Sequence, residues 1–333
     1  MGEKVVLGLS GGVDSAVAAR LLQRDGYEVI GLFLDIGLPG GVEEAQIAAD
    51  NLGVPLTVLD IRAELEEKVC SAFEKSYLRG ETPNPCILCN PAIKFRALAA
   101  HADAVGAKYI ATGHYARAED GLIKKGMPSN DQSYMLCRLL PEQAARLLLP
   151  LGGYEKTQVR ALAAEFGIPC ANKPDSMEIC FIPDKDYIGW LSRRAPMPPE
   201  GDFVFHGEAI GRHEGIHRYT VGQRRPGLYN ERKLYISAIH PEDNTVELAL
   251  WEELFKTEVR ARDMNWIVPP EAGVIPASVK VRHTKWENPA CTVEIGEAGR
   301  VLIRTEEPVR APAPGQSAVL YDGDILLGGG FIY

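Results

Sequence analysis

Apolar positions run in helical and unbroken patterns through the first half of the chain, and in short alternating runs through the last third. The segment KVVLGLS, the turn and helix SGGVDSAVAARLLQRDG, and YEVIGLFLDI read in order as strand, glycine turn, amphipathic helix and strand. That is one right-handed βαβ unit. Residues 43–53 then predict a helix, PLTVLDI a strand, 63–79 and 92–103 helices, and AKYIATGHY a strand ending in polar residues. Helical signals continue through PEQAARLLL and YEKTQVRALAAEFG, where Gly167 supplies the stop. A parallel α/β layer over residues 1–195 is the expectation.

The proline cluster in RRAPMPPEGD marks a change of texture. Short β-rich runs (FVFHGEAIGRHEGIHRYT, KLYISAIHPEDNTVELAL) follow, predicting a small β-rich central domain over 196–256. From residue 257 the runs TEVRARDMNWI, ASVKVRH, ACTVEI, RVLIRT and QSAVLYDGDILLGGGFIY alternate apolar and polar residues between Pro and Gly. They predict a C-terminal antiparallel β-barrel over 257–333. The fold class is α/β with two appended β units.

Composition narrows this further. With 46% hydrophobic, 24% charged and 8% aromatic residues in 333, the chain has the make-up of a multidomain globular protein. A net charge of −9 argues against a generic nucleic-acid binder and leaves room for local basic patches only. There is no apolar run of membrane-spanning length and no signal-like start, so a cytoplasmic protein is expected, with monomer the default state. Seven cysteines, an odd number, argue against a structural disulfide framework. Cys70, Cys137, Cys170 and Cys291 lie in apolar runs and read as buried small hydrophobes.

The segment Ser10-Gly11-Gly12-Val13-Asp14-Ser15 follows a strand and opens a helix, so its backbone amides face outward together and form an oxyanion nest. Adjacent glycines let backbone approach a phosphate, and Ser10 and Ser15 add hydroxyls. The bland alternative is a tight strand-to-helix turn with a serine cap. SGGxDS lacks the Walker lysine and resembles the phosphate loop of enzymes that split ATP between the α and β phosphates to adenylate an oxygen. That resemblance implies ATP contacts from Gly8 and Leu9 through Ser15, with Asp14 helping to hold Mg²⁺.

Glu81–Asn90 is a proline-set loop presenting Cys86 and Cys89 and leading into a helix, whose start would favour thiolate. Cys180 lies far along the chain in DSMEICF, after Lys173 and Asp175. With SGGVDS, TPNPxxLCNxxIKF (82–95), ATGHYAR (111–117), SNDQSYML (129–136), EKTQVR (155–160), DSMEICFI (175–182), YTVGQRRPGL (219–228) and PGQSAVLYDGDILLGGG (314–330), the chain resembles the bacterial tRNA-specific 2-thiouridylase family along nearly its whole length.

The resemblance implies a PP-loop domain of the adenine nucleotide alpha hydrolase type. It also implies an activity in which ATP adenylates O2 of the wobble uridine and sulfur displaces AMP. Cys180 would bear a persulfide, and Cys89 would be the partner nucleophile that closes a disulfide with it. Leu34 and Gly113 would border the nucleotide, although the connection after GLFLDI is shorter than the family's usual insertion. Asn84, Pro85, Cys86, Lys94 and His114 would meet the anticodon stem-loop, joined by Asp131, Gln132 and Ser133. From the barrel would come Arg282, His283 and Gln316. Arg96, Arg224 and Arg225 are basic candidates whose bland reading is a solvated face.

Where the family commonly has an aspartate, this chain has Cys86. Cys86, Cys89 and Cys180 together offer the ligand set of a [4Fe–4S] cluster with one open iron, which would take free sulfide as donor. A persulfide route would instead draw on a cysteine desulfurase or a relay protein. Cys-x-x-Cys also fits a redox pair, half a zinc site or an extra thiol. Other ATP pyrophosphatases, such as amide or argininosuccinate synthetases, share SGGxDS but need neither the cysteine loop nor the barrel. A non-catalytic tRNA-binding module would tolerate loss of Cys89 or Cys180.

Overall fold

A computed structural model of the protein describes residues 2–169, 179–225, 233–284 and 288–333. Cys170, Lys173, Asp175 and parts of the DSMEICFI and YTVGQRRPGL segments lie outside the described residues. The chain opens with β1 (Lys4–Gly8), α1 (Val13–Arg24), β2 (Glu28–Asp35), α2 (Gly41–Leu52) and β3 (Leu56–Asp60). Val5, Val6 and Leu7 are fully buried, as a central strand covered on both faces requires.

Two interrupted helices follow. α3 (Arg62–Leu65) and α4 (Ser71–Leu78) are joined by a π-turn at Glu66–Cys70. α5 (Pro85–Cys89) and α6 (Phe95–Ala104) are joined by a π-turn at Asn90–Lys94. Pro91 falls inside the second turn, where its missing N–H removes one rung of the α-helical ladder.

β4 (Tyr109–Ala111) completes the core of the parallel sheet, and β5 (Ala116–Glu119) and β6 (Leu122–Lys125) form a hairpin. α7 (Pro141–Ala144), β7 (Leu147–Leu148), α8 (Lys156–Glu165) and α9 (Tyr187–Ser192) follow. The first sheet has the order β3-β2-β1-β4-β7 with every pairing parallel. The expectation of a helix through PEQAARLLL is corrected here. Pro141 starts a single turn, and Leu147–Leu148 leave it to pair with β4 as the fifth strand.

The central unit comprises β8 (Gly201–Phe205), β9 (Glu208–His213), β10 (Arg224–Arg225), β11 (Leu234–His240) and β12 (Thr245–Ala249) in one mixed sheet, order β10-β11-β12-β8-β9. The last unit comprises β13 (Phe255–Trp266), β14 (Val274–Lys280), β15 (Ala290–Ile295), β16 (Val301–Arg310), β17 (Ser317–Asp322) and β18 (Ile325–Ile332). These strands close into an antiparallel barrel through β13 and β18. The hairpin β5–β6 adds onto this sheet through Ile325 and Lys124. Accordingly Val6, Phe95, Ile110 and Leu136 share a buried core with Ile267, Val319, Tyr321 and Leu326 of the barrel. No helix among the described residues is long and apolar enough to cross a membrane.

Candidate functional site

The parallel sheet sets Ser10–Ser15 at the carboxyl ends of its strands, where ligands of open α/β sheets lie. Gly11 adopts φ +73°, and a Cβ there would come 3.1 Å from the backbone of Glu44 and Ala45 at the start of α2. The short connection after β2 therefore packs α2 directly on the loop. Ser15 is buried, and its Oγ donates to the Gly12 carbonyl at 3.0 Å while accepting from Ser10 N at 3.2 Å. Leu9 and Val13 are core side chains, so any ligand contact from them is through backbone. Leu34 lies half-buried on β2. A Cβ on Gly8 would meet only ordinary contacts, whereas one on Gly113 would come 3.0 Å from Asp14 C and Ser15 N. The segment after β4 thus abuts the first turn of α1.

Asp14 is fully engaged. Its carboxylate accepts from Tyr115 Oη at 2.6 Å and from Lys156 Nζ at 2.7 and 2.8 Å. Neither partner stands out in the sequence. Both sit in ordered segments, ATGHYAR and EKTQVR, whose lysine and tyrosine were the available signal. The glycine-lined nest fits a polyphosphate. The Asp14 carboxylate is of the donor type that suits Mg²⁺, and Lys156 Nζ occupies both of its oxygens.

The cysteine loop is built by capping. Asn84 caps α5, its Oδ1 accepting from Cys86 N at 3.2 Å, and Pro85 occupies the first helical turn. Buried Asn90 donates to the Met135 carbonyl at 2.8 Å, and Gln143 donates to the Pro91 carbonyl at 3.3 Å. Cys86 is exposed, Cys89 half-buried, and Cys180 keeps an exposed face. Burial pushes the Cys89 thiol up to about 11, with Lys94 pulling it down and Cys180 and Cys86 pushing it up. Surrounding low-dielectric walls raise Cys180 as well, with Cys86 adding to the rise and Lys94 opposing it. The thiols thus share one neighbourhood with one ammonium. Cys89 closes α5 rather than opening it, and there burial outweighs the favourable neighbours.

Among the described residues all six cysteines are free thiols and no disulfide links any of them. Nor do any three Cys, His, Asp or Glu side chains among the described residues gather in a metal-holding group. Cys86, Cys89 and Cys180, the ligand set of a [4Fe–4S] cluster with one open iron, are not gathered as such a group. Cys70, Cys137 and Cys291 are buried, as their apolar settings suggest.

His114 joins the two halves of the site. It shares a 2.8 Å hydrogen bond with Thr112 Oγ1 and stacks on Phe95, next to Lys94, with ring centroids 6.0 Å apart. Burial first and Lys94 second lower its pKa to about 3, so the ring is neutral near pH 7.

Several residues read as tRNA contacts have internal partners. Asp131 accepts from Gly126 N, Ser133 N and Ser133 Oγ, and Gln132 Oε1 accepts from Tyr115 N. Arg282 donates to the carbonyls of Val221 and Ala311, bracing the central unit on the barrel. Gln316 Nε2 donates to the Thr82 carbonyl at 2.7 Å. His283 is exposed and bonds the Asp131 carbonyl at 3.2 Å. Arg96 is tied to Glu64, and Arg225 lies over the rings of Phe203 and Tyr219, while Arg224 is exposed.

Family models match the chain in three consecutive pieces. They are a tRNA methyl transferase HUP domain over residues 3–184, a tRNA methyl transferase PRC-barrel domain over 191–249, and an aminomethyltransferase beta-barrel domain over 256–332. The tRNA-specific 2-thiouridylase MnmA of Clostridioides difficile is 41% identical over 356 residues, covering 100% of this chain and 98% of that protein. That of Pelotomaculum thermopropionicum is 42% identical over 354 residues, covering 99% and 97%. A solved 4-thiouridine synthetase–RNA complex with bound ATP superposes at TM-score 0.39 and 20% identity, covering 57% of this chain and 50% of that one.

Proposed function

The chain belongs to the tRNA-specific 2-thiouridylase family, being 41% identical to a member along its full length, and from that premise we propose that it puts sulfur on C2 of the wobble uridine of tRNA at the expense of ATP. The observation that carries this reading is the continuity of Gly113, His114 and Tyr115. Gly113 abuts the phosphate loop, Tyr115 holds Asp14, and His114 packs beside Lys94, whose charge acts on Cys89 and Cys180. That run of three residues links the groups read as adenylating to those read as carrying sulfur.

In this reading the backbone nest of Ser10–Ser15 orients the ATP phosphates, and Asp14 would hold a Mg²⁺ that would supply charge neutralisation. The uridine O2 bonds to the α-phosphorus, pyrophosphate leaves with the electron pair of the broken bond, and the N3 proton passes to solvent. The terminal sulfur of a Cys180 persulfide then bonds to C2, and AMP departs with the oxygen. Cys89 thiolate attacks Cys180 Sγ, leaving sulfur on the base and closing a Cys89–Cys180 disulfide for an external thiol to reduce. Lys94 favours the thiolate of both cysteines. Neutral His114 and exposed His283, with Asn84, Pro85 and exposed Cys86, face the anticodon loop. Asp131, Gln132, Ser133, Arg282 and Gln316 order the surface on which the tRNA lies. A flipped base suits this arrangement, since a loop base can be splayed from its stack. The sulfur source is a persulfide donor of the desulfurase or relay type.

The test loads the protein from a persulfide donor and maps the adduct by mass spectrometry, then supplies ATP and tRNA. The reading requires a sulfane adduct on Cys180, no 2-thiouridine from Cys180→Ser, and a stalled mixed disulfide with tRNA in Cys89→Ser. Full thiolation by both variants would overturn the roles given to Cys180 and Cys89 and leave a cysteine-independent route.

A further inference from the structure

We propose that Lys156 is the cation this chain supplies to the pyrophosphate that leaves during adenylation, and that Asp14 stores it while the ATP site is empty. The inference rests on the ATP-using function above and assigns to the helix α8 a part in it. Lys156 is the first residue of α8, whose start is fixed by a capping box between Glu155 and Gln158. Buried Val159 and Ala163 anchor the same helix in the core that holds Val17 and Leu21 of α1. The backbone at Lys156 is therefore rigid, and the long side chain alone can move.

That side chain passes over the Tyr115 ring, 5.5 Å from its centroid, and ends on both oxygens of Asp14. Asp14 lies in the first turn of α1, two residues after Gly12 of the nest. Side-chain exposures of 24% for Lys156 and 32% for Asp14 leave the pair reachable from solvent. A half-exposed pair of this kind adds little to stability. Its placement beside a phosphate nest is better matched to chemistry.

Asp14 would hold a divalent cation arriving with ATP through the oxygens that Lys156 Nζ now occupies. Lys156 would then turn its four-carbon stem toward the β- and γ-phosphate oxygens. The bond from α-phosphorus to the bridging oxygen then breaks, pyrophosphate carries off the electron pair, and the Lys156 ammonium donates hydrogen bonds to it without losing its proton. A lysine serves phosphate as a point charge in this manner.

The experiment compares wild type with Lys156→Met and Lys156→Arg, measuring equilibrium binding of ATP and of AMP, tRNA-dependent pyrophosphate release, and melting temperature. The proposal expects Lys156→Met to weaken ATP about tenfold while leaving AMP unchanged, as loss of one charged hydrogen bond to the outer phosphates would. It expects pyrophosphate release to fall about 100-fold, with Lys156→Arg recovering much of both. A Lys156→Met protein that keeps the wild-type ratio of ATP to AMP affinity, whatever its melting temperature, overturns the proposal. Wild-type protein that binds ATP but releases no pyrophosphate with tRNA would instead overturn the adenylation reading, and the affinity ratio would still decide the role of Lys156.

Discussion

The Gln316 amide donates to the Thr82 carbonyl at 2.7 Å, so the first turn before β17 of the barrel holds the loop that carries the reactive cysteines. Thr82 N donates to the Pro314 carbonyl at 2.8 Å, and Thr82 Oγ1 donates to Thr220 Oγ1 at 3.2 Å. A Cβ on Gly315 would come 2.9 Å from Thr82 N. All three structural units therefore converge on one threonine just upstream of α5.

Replacing Gln316 by Ala removes the amide and leaves the Thr82 carbonyl short of a partner, costing about 1 kcal/mol in stability. Thiolation falls about tenfold, the same order as a free-energy change of that size at the reacting thiol, while ATP affinity stays at the wild-type value. Rates of 2-thiouridine formation beside an ATP titration decide this. Equal loss of ATP binding would show that the bond does more than place the cysteine loop.

Cys89 titrates with its thiol pushed up to about 11, and Lys94 is the group holding it from going higher. Its alkylation rate is expected to rise about tenfold per pH unit between neutral pH and that value. Lys94→Gln shifts the whole profile upward in pH and slows alkylation at any fixed pH below it. Mass-spectrometric tracking of iodoacetamide labelling at Cys89 gives the profile, and an unchanged profile in the variant contradicts the assignment.

His217 is buried with both ring nitrogens lacking a hydrogen-bond partner, and burial first lowers its pKa, helped by Arg218 and His213. His213 and His114 are lowered by burial too. Such rings stay neutral in the folded protein but take a proton near pH 6.5 once unfolded. The unfolded state thus binds more protons as pH falls below that value, and stability declines with it. Urea midpoints at pH 7 and pH 5 should show the decline, and His217→Phe should narrow the gap. A gap unaltered in His217→Phe would acquit this ring.

Gly113→Ala drives a Cβ to 3.0 Å from the backbone at Asp14 and Ser15. Since both neighbours are main chain, the phosphate loop and the segment after β4 must separate, at a cost of about 1–3 kcal/mol. Pyrophosphate release should suffer more than loading of sulfur onto Cys180. Comparable losses in both assays would point to general unfolding instead.

Much of this was legible in the sequence because it is local. The strand, glycine turn and helix at residues 4–24, the cysteine loop with its asparagine cap, and the alternation that closes the barrel each depend on neighbours within a few residues. What was not legible depends on distant partners. Lys156 and Asp14 are 142 positions apart, and Gln316 and Thr82 are 234 apart. The hairpin at Ala116–Lys125 joins the barrel sheet only because β18 offers it an edge. Leu147 and Leu148 read as helix because leucine suits either state, and pairing with β4 decides between them. The raised thiol of Cys89 is hidden for a similar reason: its helix position is visible in sequence, its burial is not.

The central claim, that ATP activates the uridine oxygen so that sulfur can replace it, is tested most directly by following that oxygen. A tRNA carrying heavy oxygen at O2 of the wobble uridine is turned over with ATP and a persulfide donor, and the AMP formed is analysed by mass spectrometry. The account predicts one heavy oxygen in the AMP for each 2-thiouridine made. Unlabelled AMP beside labelled water, or thiolation that proceeds without ATP, would contradict it.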